Sequence, residues 1–330
     1  MKRHNICIDL GTANTLIWTD ISSSVVFNEP TVLTIDRKTK TVLEIGYLAG
    51  KMAGKTPYNV DIVFPLHDGV IADLDAVIMF LKQAIKNLHL GKALKNACFY
   101  LATPSDVTPV EQHALVDLAV GLGAKKIIIE SEARMAAIGS GIDIYSPQGS
   151  LIMDIGGGTT DVAIIALGEI VKTKAHHVAG NAFSSAIRKY LRTKYKLLIG
   201  DKTAEYIKMK IGSVTEPSNN SLLEVSGRDL LTGLPHSVII SSSDIYNCLI
   251  PLADSLVELI IETLEETPPE LSTDISTNGL ILSGGGSLLK GLREYLKERL
   301  HIPVHLTPFP LESVIRGLAE IATMSNNKKD

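Results

Sequence analysis

The chain has 330 residues, 45% of them hydrophobic and 21% charged, a balance typical of a globular protein with two domains of ordinary size. Its 32 basic and 36 acidic side chains give a net charge of −4, which argues against bulk nucleic-acid binding. The 3 cysteines form no CxxC pair, and neither a signal-length nor a membrane-length apolar run occurs. We therefore expect a soluble protein of a reducing cytoplasm.

The first predicted element is a strand that ends in a glycine turn. ICIDLGTANTLIW (6–18) contains an apolar strand, an aspartate, a glycine with small and hydroxyl residues, and a second strand. The same pattern returns in LIMDIGGGTTDVAII (151–165), and the aspartates Asp9 and Asp154 are separated by close to half the chain. The repeat predicts two related halves, each opening with a glycine-turned β-hairpin.

Strands and helices alternate between the two repeats. Residues 31–60 predict a small hairpin, within an inserted subdomain of about 31–70. The apolar spacing predicts a helix over 72–88, and Thr108, Pro109 and Glu111 give the signature of a capped helix start. The remaining predicted elements of this stretch are buried strands at 97–104 and 125–130 and the capped helix itself at 108–124.

The second half carries a larger insertion and a third glycine turn. Residues 182–248 predict an inserted subdomain that is first helical and then β. In LILSGGGSLLKGL (280–292), a strand feeds three glycines, and a helix should follow with Leu288, Leu289, Leu292 and Leu296 on one face. The predicted fold is α/β, with a first half at 1–145 and a second half at 146–330, each bearing its smaller subdomain.

Two facing hairpin turns would aim backbone N–H groups at one point, where such nests bind anions. Thr12, Thr159 and Thr160 add hydroxyl donors to these turns. Aspartates would repel a phosphate, so Asp9 and Asp154 make sense as holders of Mg²⁺ through water. The three turns together predict a nucleoside triphosphate with its metal, and the third turn suits the flat face of a base or ribose.

A purely structural interpretation stands beside the nucleotide hypothesis. One glycine-rich turn is most often a bulge or a hairpin, and Asp9 and Asp154 could cap turns. Three glycine turns in this order, two of them with repeated acidic and hydroxyl residues, favour the nucleotide hypothesis.

The motifs resemble those of a known superfamily. DLGTANT (9–15), DIGGGTT (154–160) and SGGGSLLKGL (283–292) resemble the two phosphate motifs and the adenosine motif of the actin, chaperone and sugar-kinase ATPases. IGDKTAEYIKMKIGS (199–213) and DGVIADLD (68–75) resemble the MreB family of bacterial actins. The resemblance covers about residues 5–320. It implies an actin-like ATPase fold, with two ribonuclease H-like α/β domains and two smaller inserted subdomains around a central nucleotide cleft.

The resemblance implies roles for individual residues. Glu205 and Lys208 would reach the ribose and adenine, although without the resemblance they predict only an ion pair on a helix surface. The shorter carboxylate of Asp161 stands where the family has a glutamate, and it would join Asp9 and Asp154 at Mg²⁺. The residues that would bind ATP or ADP are Gly11, Thr12, Ala13, Asn14, Gly156, Gly157, Gly158, Thr159, Thr160, Gly180, Glu205, Lys208, Gly284, Gly285 and Gly286.

Glu132 and Thr159 match the pair that orients the attacking water in the family. The structural alternative for Glu132 is a carboxylate that complements a helix N-terminus. The family has Glu-Pro-Met where this chain has Glu132, Ala133 and Arg134, and Asn181 replaces a carboxylate near the ribose. These departures favour a scaffold with little turnover, whereas the retained Glu132 and Thr159 favour an enzyme.

The resemblance implies an ATP-dependent filament that assembles head to tail, with paired protofilaments as an open alternative. The rival is a nucleotide-binding scaffold with little turnover, and a small-molecule kinase lacks a candidate base and sugar pocket. Further implied partners are the inner face of the cytoplasmic membrane and paralogous filaments or morphogenesis proteins. The membrane expectation depends on the loop 89–97, with Leu90 and Leu94, and on the apolar stripe before Lys328 and Lys329.

Overall fold

A computed structural model describes residues 3–92, 96–105 and 107–327 of the chain. The strands, in chain order, are β1 (Asn5–Leu10), β2 (Asn14–Thr19), β3 (Ser24–Pro30), β4 (Leu33–Asp36), β5 (Val42–Ile45), β6 (Val60–Val63), β7 (Leu66–His67), β8 (Val70–Ile71), β9 (Cys98–Thr103), β10 (Lys126–Ser131), β11 (Ser150–Ile155), β12 (Thr160–Ala166), β13 (Glu169–His176), β14 (Leu197–Leu198), β15 (Leu222–Asp229), β16 (Pro235–Ser241), β17 (Leu280–Ser283) and β18 (Val304–Leu306). The helices are α1 (Gly46–Met52), α2 (Leu74–Asn87), α3 (Pro109–Gly121), α4 (Glu132–Gly139), α5 (Gly180–Lys194), α6 (Asp201–Ile211), α7 (Ser242–Glu265), α8 (Pro269–Asn278), α9 (Leu292–Leu300) and α10 (Ser313–Asn327).

Two five-stranded sheets have the same topology. The first has the order β10-β9-β1-β2-β3 and the second the order β18-β17-β11-β12-β13. In each sheet the central strand pairs antiparallel with the next strand of its hairpin and parallel with a strand from later in the chain. The repeat seen in the sequence is therefore a repeat of structure, and the two predicted glycine-turned hairpins are confirmed.

In the described residues, three apolar clusters form the core around the two sheets. One cluster covers the outer face of the first sheet under α2 and α3, and another covers the outer face of the second sheet under α5 and α7. The third cluster, which we call the inter-sheet core, joins side chains of both sheets with those of α4 and α10. The first and second sheets therefore share one buried layer.

The C-terminal helix α10 packs mainly against α4 and also contacts β1, β2 and β9 of the first sheet. Its apolar stripe (Val314, Ile315, Leu318 and Ala322) is buried in the inter-sheet core. The stripe is therefore not available to a membrane surface, contrary to the expectation from the sequence, because it fills the layer between the sheets. Lys328 and Lys329 lie outside the described residues, and the division at 145/146 stays a prediction.

Two smaller sheets form small lobes. The first small lobe, residues 33–63, has the three-stranded sheet β5-β4-β6 and the helix α1. The sequence predicted only a hairpin at 31–60, and it missed α1 and the pairing of β6 with β4, because that partner lies far from β4 in sequence. The second small lobe, residues 197–241, has the sheet β14-β15-β16 beside α6, in agreement with a helical and then β segment.

The predicted start of α3 is confirmed, since Thr108 and Glu111 form a reciprocal capping box with Pro109 in the first turn. The start that the sequence predicted for the helix after the third glycine turn is wrong. A short 3-10 turn occupies Gly285–Leu288, and α9 begins only at Leu292. Gly291, with φ of 80°, interrupts the helical path, so Leu288 is 52% exposed instead of sharing the apolar face of α9.

No helix among the described residues is long and apolar enough to cross a bilayer. Leu90, which the sequence offered as a membrane contact, packs against the outer core of the first sheet, and Leu94 lies outside the described residues.

Candidate functional site

Three carboxylates meet the inter-sheet core at the ends of the central strands. Side chains alternate along a strand, and Cys7 and Ile152 belong to the inter-sheet core. Asp9 and Asp154 follow them two positions later on the same face, at the carboxyl ends of β1 and β11. Asp161 lies opposite Asp154 in the antiparallel pair. The carboxyl ends of parallel strands are the usual place for a ligand in α/β folds.

Each central hairpin closes with the same backbone hydrogen bond. In the first glycine turn, the N–H of Gly11 donates to the carbonyl of Asn14 at 3.1 Å. In the second glycine turn, the N–H of Gly156 donates to the carbonyl of Thr159 at 2.8 Å. The two turns therefore share one backbone pattern as well as one sequence pattern.

The two turns face each other at van der Waals distance. A Cβ built on Gly157 would lie 2.6 Å from the Cβ of Ala13, and one built on Gly158 would lie 2.5 Å from Oγ1 of Thr12. Glycine is required at both positions because a side chain would push the turns apart. The structure thus brings the predicted residues 11–14 and 156–159 together.

A third backbone segment lies between these turns, and the sequence reasoning did not assign it to the site. Asp68 and Gly69 form the turn between β7 and β8, and the N–H of Gly69 donates to Oγ1 of Thr12 at 2.8 Å. A Cβ on Gly69 would meet Cγ2 of Thr159 at 2.4 Å, so this turn contacts both glycine turns. The Asp-Gly dipeptide is a strong hairpin signal and could have pointed to this turn.

The hydroxyl groups of the turns differ in availability. Oγ1 of Thr12 accepts a hydrogen bond from Gly69, and no hydrogen bond donated by this hydroxyl is found among the described residues. The hydroxyl of Thr160 instead donates to the carbonyl of Val178 at 2.7 Å, inside the fold. Thr160 therefore contributes backbone and packing here, and its predicted contact with a phosphate through the hydroxyl is not supported by this geometry.

The second glycine turn is held by the start of α5. The N–H groups of Gly180 and Asn181 donate to the carbonyls of Gly156 and Gly157 at 3.1 and 2.8 Å. Asn181, which replaces a carboxylate of the family pattern, thus contributes through its backbone. The structure places Gly180 directly against the second turn, and its predicted contact with the nucleotide stays a prediction.

Lys208 and Glu205 of α6 join this arrangement. Nζ of Lys208 donates to the carbonyl of Gly180 at 2.9 Å and lies 2.7 Å from Oε2 of Glu205, which also accepts from Ser184 at 2.7 Å. The ion pair is the one that the structural alternative predicted. It is not a free surface pair, because the Lys208 side chain is only 13% exposed while that of Glu205 is 46% exposed. Lys208 therefore links α6 to the second glycine turn.

The third glycine turn packs under the end of β11. Gly284 has φ of 78°, and a Cβ there would lie 2.2 Å from the carbonyl oxygen of Ile155. A Cβ on Gly286 would lie 2.3 Å from Cγ2 of Ile155, whereas Gly285 is exposed. Two of these three glycines are thus explained by packing against β11, and Gly285 is the one that faces outward.

The buried carboxylates carry the electrostatic signature of the site. Burial raises the pKa of Asp9 to about 7. Burial also raises the pKa of Asp154 to about 7, with the charges of Asp9 and Asp161 acting in the same direction and the hydroxyl of Ser283 acting against it. Asp161 accepts a hydrogen bond from the N–H of Ser105 at 2.7 Å, so the loop after β9 reaches the same place.

Unsatisfied polar atoms accompany these carboxylates. Oδ1 of Asp154 and Oγ of Ser283, neighbours in the parallel pair of β11 and β17, are buried without a well-formed hydrogen bond. Such atoms in a native fold indicate a missing water, ion or ligand. No group of three or more His, Cys, Asp or Glu side chains in the described stretches is arranged to ligate a metal directly. A cation held through water by these carboxylates fits the residues present.

Glu132 is the first residue of α4, directly after the carboxyl end of β10, and it is half-buried. Ala133 is fully buried in the inter-sheet core, where it fits without the proline of the family pattern. Because Ala133 belongs to the inter-sheet core, the start of α4 lies on the side of the first sheet that faces the second. The pairing of Glu132 with Thr159 stays a prediction.

The comparisons with known proteins agree on one family. The family model described as MreB/Mbl protein matches residues 3–330. The cell shape-determining protein Mbl of Bacillus cereus is 41% identical over 317 residues, which cover 96% of this chain and 95% of that protein.

Solved structures give the same result for the fold. MreB5 of Spiroplasma citri bound to AMPPNP superposes with a TM-score of 0.94 at 42% identity, covering 100% of this chain and 99% of that one. The same protein bound to ADP gives 0.92 at 43% identity, with the same coverage of both chains. A MamK double helical filament matches at 0.82 and 22% identity, covering 98% and 99%, and at that identity it supports the fold alone. The predicted actin-like ATPase fold is confirmed.

Proposed function

Since this chain belongs to the MreB/Mbl family, we propose that it binds Mg-ATP, polymerises into cytoskeletal filaments and hydrolyses the nucleotide slowly. The observation that carries the proposal is the pair of facing glycine turns, which have one hydrogen-bond pattern and lie beside buried, unsatisfied carboxylate oxygen. The AMPPNP and ADP complexes of the related MreB5 support a nucleotide as the ligand.

The phosphates would lie against the two glycine turns. Backbone N–H groups of Thr12, Ala13, Gly157 and Gly158 are the donors that such turns offer to an anion, and the Thr12 hydroxyl adds one more. Lys208 would face the nucleotide from α6, where its charge is already held near the second turn by Gly180 and Glu205. Gly285, the outward residue of the third turn, would lie under the base or ribose.

Asp9, Asp154 and Asp161 would hold Mg²⁺ through its waters. The bound ion would neutralise charge on the phosphates, which is its usual contribution to phosphoryl transfer. The charge of the ion would also favour ionised carboxylates at Asp9 and Asp154, against the effect of their burial.

Hydrolysis would depend on Glu132 and Thr159. A carboxylate at the start of α4 can accept a hydrogen bond from the attacking water, and Thr159 ends the second glycine turn, where its side chain can orient the same water. Little else is required of the protein, because positioning and charge stabilisation supply most of the catalysis of phosphoryl transfer.

Self-association follows from the actin-like filament-forming fold. A contact between unlike faces of successive subunits repeats without closure, and it produces a filament. We place these filaments at the inner face of the cell membrane, in support of cell shape or morphogenesis, by analogy with the cell shape-determining relatives. Paired protofilaments and contacts with related filaments remain part of the proposal.

Phosphate release from purified protein with Mg-ATP, measured alongside pelleting, tests the proposal. The wild type should release phosphate and pellet, whereas Glu132→Ala should pellet while phosphate release falls on the order of 10²-fold. Asp75→Ala is the matched control, because Asp75 is also a first-turn helix carboxylate but lies exposed on α2. It should retain the wild-type rate.

If the wild type pellets and binds nucleotide without releasing phosphate, the chain is a hydrolysis-poor scaffold, and the enzymatic part of the proposal is wrong. If it neither binds nucleotide nor pellets with Mg-ATP, the whole proposal is wrong.

A further inference from the structure

Arg134 joins three segments of the chain near the start of α4. Its Nη1 lies 2.7 Å from Oε2 of Glu130, which stands in β10. Its Nε donates to the carbonyl of Gly168 at 3.1 Å, in the turn between β12 and β13. The side chains of Arg134 and Glu130 are only 22% and 21% exposed, so water screens this ion pair less than it screens surface pairs.

Among the described residues, the N-cap of α4 provides no side-chain anchor of this kind. Ser131 is its N-cap residue, but the Ser131 hydroxyl makes no capping hydrogen bond and is buried without a partner. The longer helices α3 and α7 both begin with a reciprocal capping box. No N-cap side chain holds the first N–H groups of α4, so the contacts of Arg134 contribute to fixing this turn.

The β12–β13 turn, which accepts the hydrogen bond of Arg134, is itself held by backbone hydrogen bonds. The N–H of Leu167 donates to the carbonyl of Ser146 at 2.9 Å, and that of Gly168 donates to the carbonyl of Ile144 at 2.7 Å. The strand β12 that ends at this turn begins at Thr160, directly after the second glycine turn. Arg134 therefore connects the helix that carries Glu132 to the strand that follows Thr159.

We propose that Arg134 is a positioning residue for hydrolysis, which fixes the first turn of α4 to the β12–β13 turn and so orients Glu132 toward the second glycine turn. The inference rests on the proposed hydrolysis and adds a residue to it. Arginine suits the task because its planar group reaches a carboxylate and a carbonyl at once, whereas a lysine offers a single charged nitrogen.

Steady-state phosphate release with Mg-ATP tests the inference through the split between kcat and KM. Arg134→Met should lower kcat about 10-fold with KM within about twofold, because a misplaced catalytic group costs rate and leaves nucleotide binding intact. Arg134→Lys keeps the charge but loses the fork, and it should recover only part of kcat.

Arg316→Met is the matched control. Arg316 forms the same kind of pair with a glutamate four residues before it, Glu312, at 2.8 Å, on a helix that packs against α4. This control should leave kcat within twofold, and it should lower thermal stability less than Arg134→Met does, because the side chains of its ion pair are more exposed, at 42% and 32%. An unchanged kcat in Arg134→Met, or an equal fall in Arg316→Met, would overturn the inference.

Amide hydrogen exchange keeps the inference testable if the wild type releases no phosphate. The amides of residues 135–138 bond to the carbonyls of the first turn of α4, so they report its fixation without any nucleotide. Arg134→Met should speed their exchange several-fold, and Arg316→Met should not. Absent phosphate release would defeat the proposed hydrolysis, whereas unchanged exchange at these amides would defeat the role of Arg134.

Discussion

The two glycine turns have one backbone pattern but are braced by different parts of the molecule. The first turn is held by Thr31, whose N–H donates to the carbonyl of Ala13 at 3.0 Å and whose hydroxyl donates to the carbonyl of Gly11 at 2.7 Å. The second turn is held by the first N–H groups of α5 and, through Gly180, by Lys208 of α6.

This difference determines what each turn can respond to. Thr31 is buried and belongs to the loop that leaves the first sheet, so the first turn is fixed from within its own half. The second turn is connected through α5 and Lys208 to the second small lobe. A displacement of that lobe would therefore move the second turn while leaving the first in place.

The largest effect should come from a side chain placed between the turns. A Cβ at position 158 would lie 2.5 Å from Oγ1 of Thr12 and 2.6 Å from Cα of Asp68, both held by the surrounding backbone. Gly158→Val should abolish nucleotide binding and lower stability by several kcal/mol, since overpacking beyond one methyl displaces the backbone. Calorimetry and titration with a fluorescent ATP analogue would measure both.

The control for this change is Gly91→Ala, whose Cβ would meet no atom of the described residues within 4 Å. It should bind nucleotide as the wild type does. Normal nucleotide binding by Gly158→Val would mean that the turns do not need to face each other this closely.

The two turns are alike in one respect, because each follows an aspartate whose pKa is raised by burial, Asp9 before the first turn and Asp154 before the second. The pKa of Asp154 is raised to about 7 in the folded chain, above the usual aspartate value in the unfolded chain. The folded protein therefore binds the extra proton, and this contribution to stability is present below about pH 4 and lost as the pH rises through 7. The upper bound for Asp154 is about 4 kcal/mol, at about 1.36 kcal/mol per pKa unit.

Urea unfolding of metal-free and nucleotide-free protein between pH 5 and 8 would measure this slope. Asp154→Asn should reduce it and leave the contribution of Asp9, whose pKa burial also raises to about 7. A slope that is the same in Asp154→Asn and in the wild type would show that Asp154 ionises normally.

Substitutions of Thr31 and of Lys208 test separately the contacts that hold the first and the second turn. Thr31→Val leaves the carbonyl of Gly11 and the hydroxyl of Thr15 without their partner, and it should cost about 1–3 kcal/mol of stability. Lys208→Met should lower the free energy of unfolding no more than Thr31→Val does but weaken nucleotide binding about 10-fold, because it releases the second turn from α6.

Unfolding curves and nucleotide titrations on both variants would show whether the first turn, held by Thr31, and the second turn, held by Lys208, respond differently. If Thr31→Val weakens binding more than Lys208→Met does, the asymmetry between the turns is wrong.

Much of this site could be predicted from the sequence because glycine, aspartate and threonine were placed in repeated local patterns. The hairpins, the capped start of α3 and the ion pair of Lys208 with Glu205 all depend on residues within a few positions of each other. Such local signals survive in the sequence because backbone sterics and short-range hydrogen bonds determine them.

The contacts that the sequence could not give are long-range ones. The turn of Asp68 and Gly69 reaches Thr12 and Thr159 only after the chain has folded, and no periodicity reports that approach. The same holds for α10, whose apolar face is clear in the sequence although its partner, α4, lies far away in the chain. The apolar stripe alone could not distinguish a buried helix from a membrane-facing one.

The smallest expected effect concerns a contact between the two small lobes. Nζ of Lys202, in the first turn of α6, donates to the carbonyl of Gly50 near the end of α1. The helix α6 therefore touches the first small lobe through Lys202 and the second glycine turn through Lys208. Since Lys202 is exposed, its contact is expected to contribute less than about 1 kcal/mol.

If the second turn follows the lobes, Lys202→Ala should raise the rate of ADP release about two- to fivefold, measured by stopped-flow displacement of a fluorescent ADP. Lys210→Ala, an exposed lysine on the same helix, should leave the rate unchanged. If Lys202→Ala releases ADP at the wild-type rate and Lys208→Met releases it faster, the second turn is controlled through Lys208, and the contact of Lys202 with the first small lobe does not contribute. Faster release in both would instead mean that the two small lobes hold the second turn together, a constraint that the first turn, braced by Thr31, does not share.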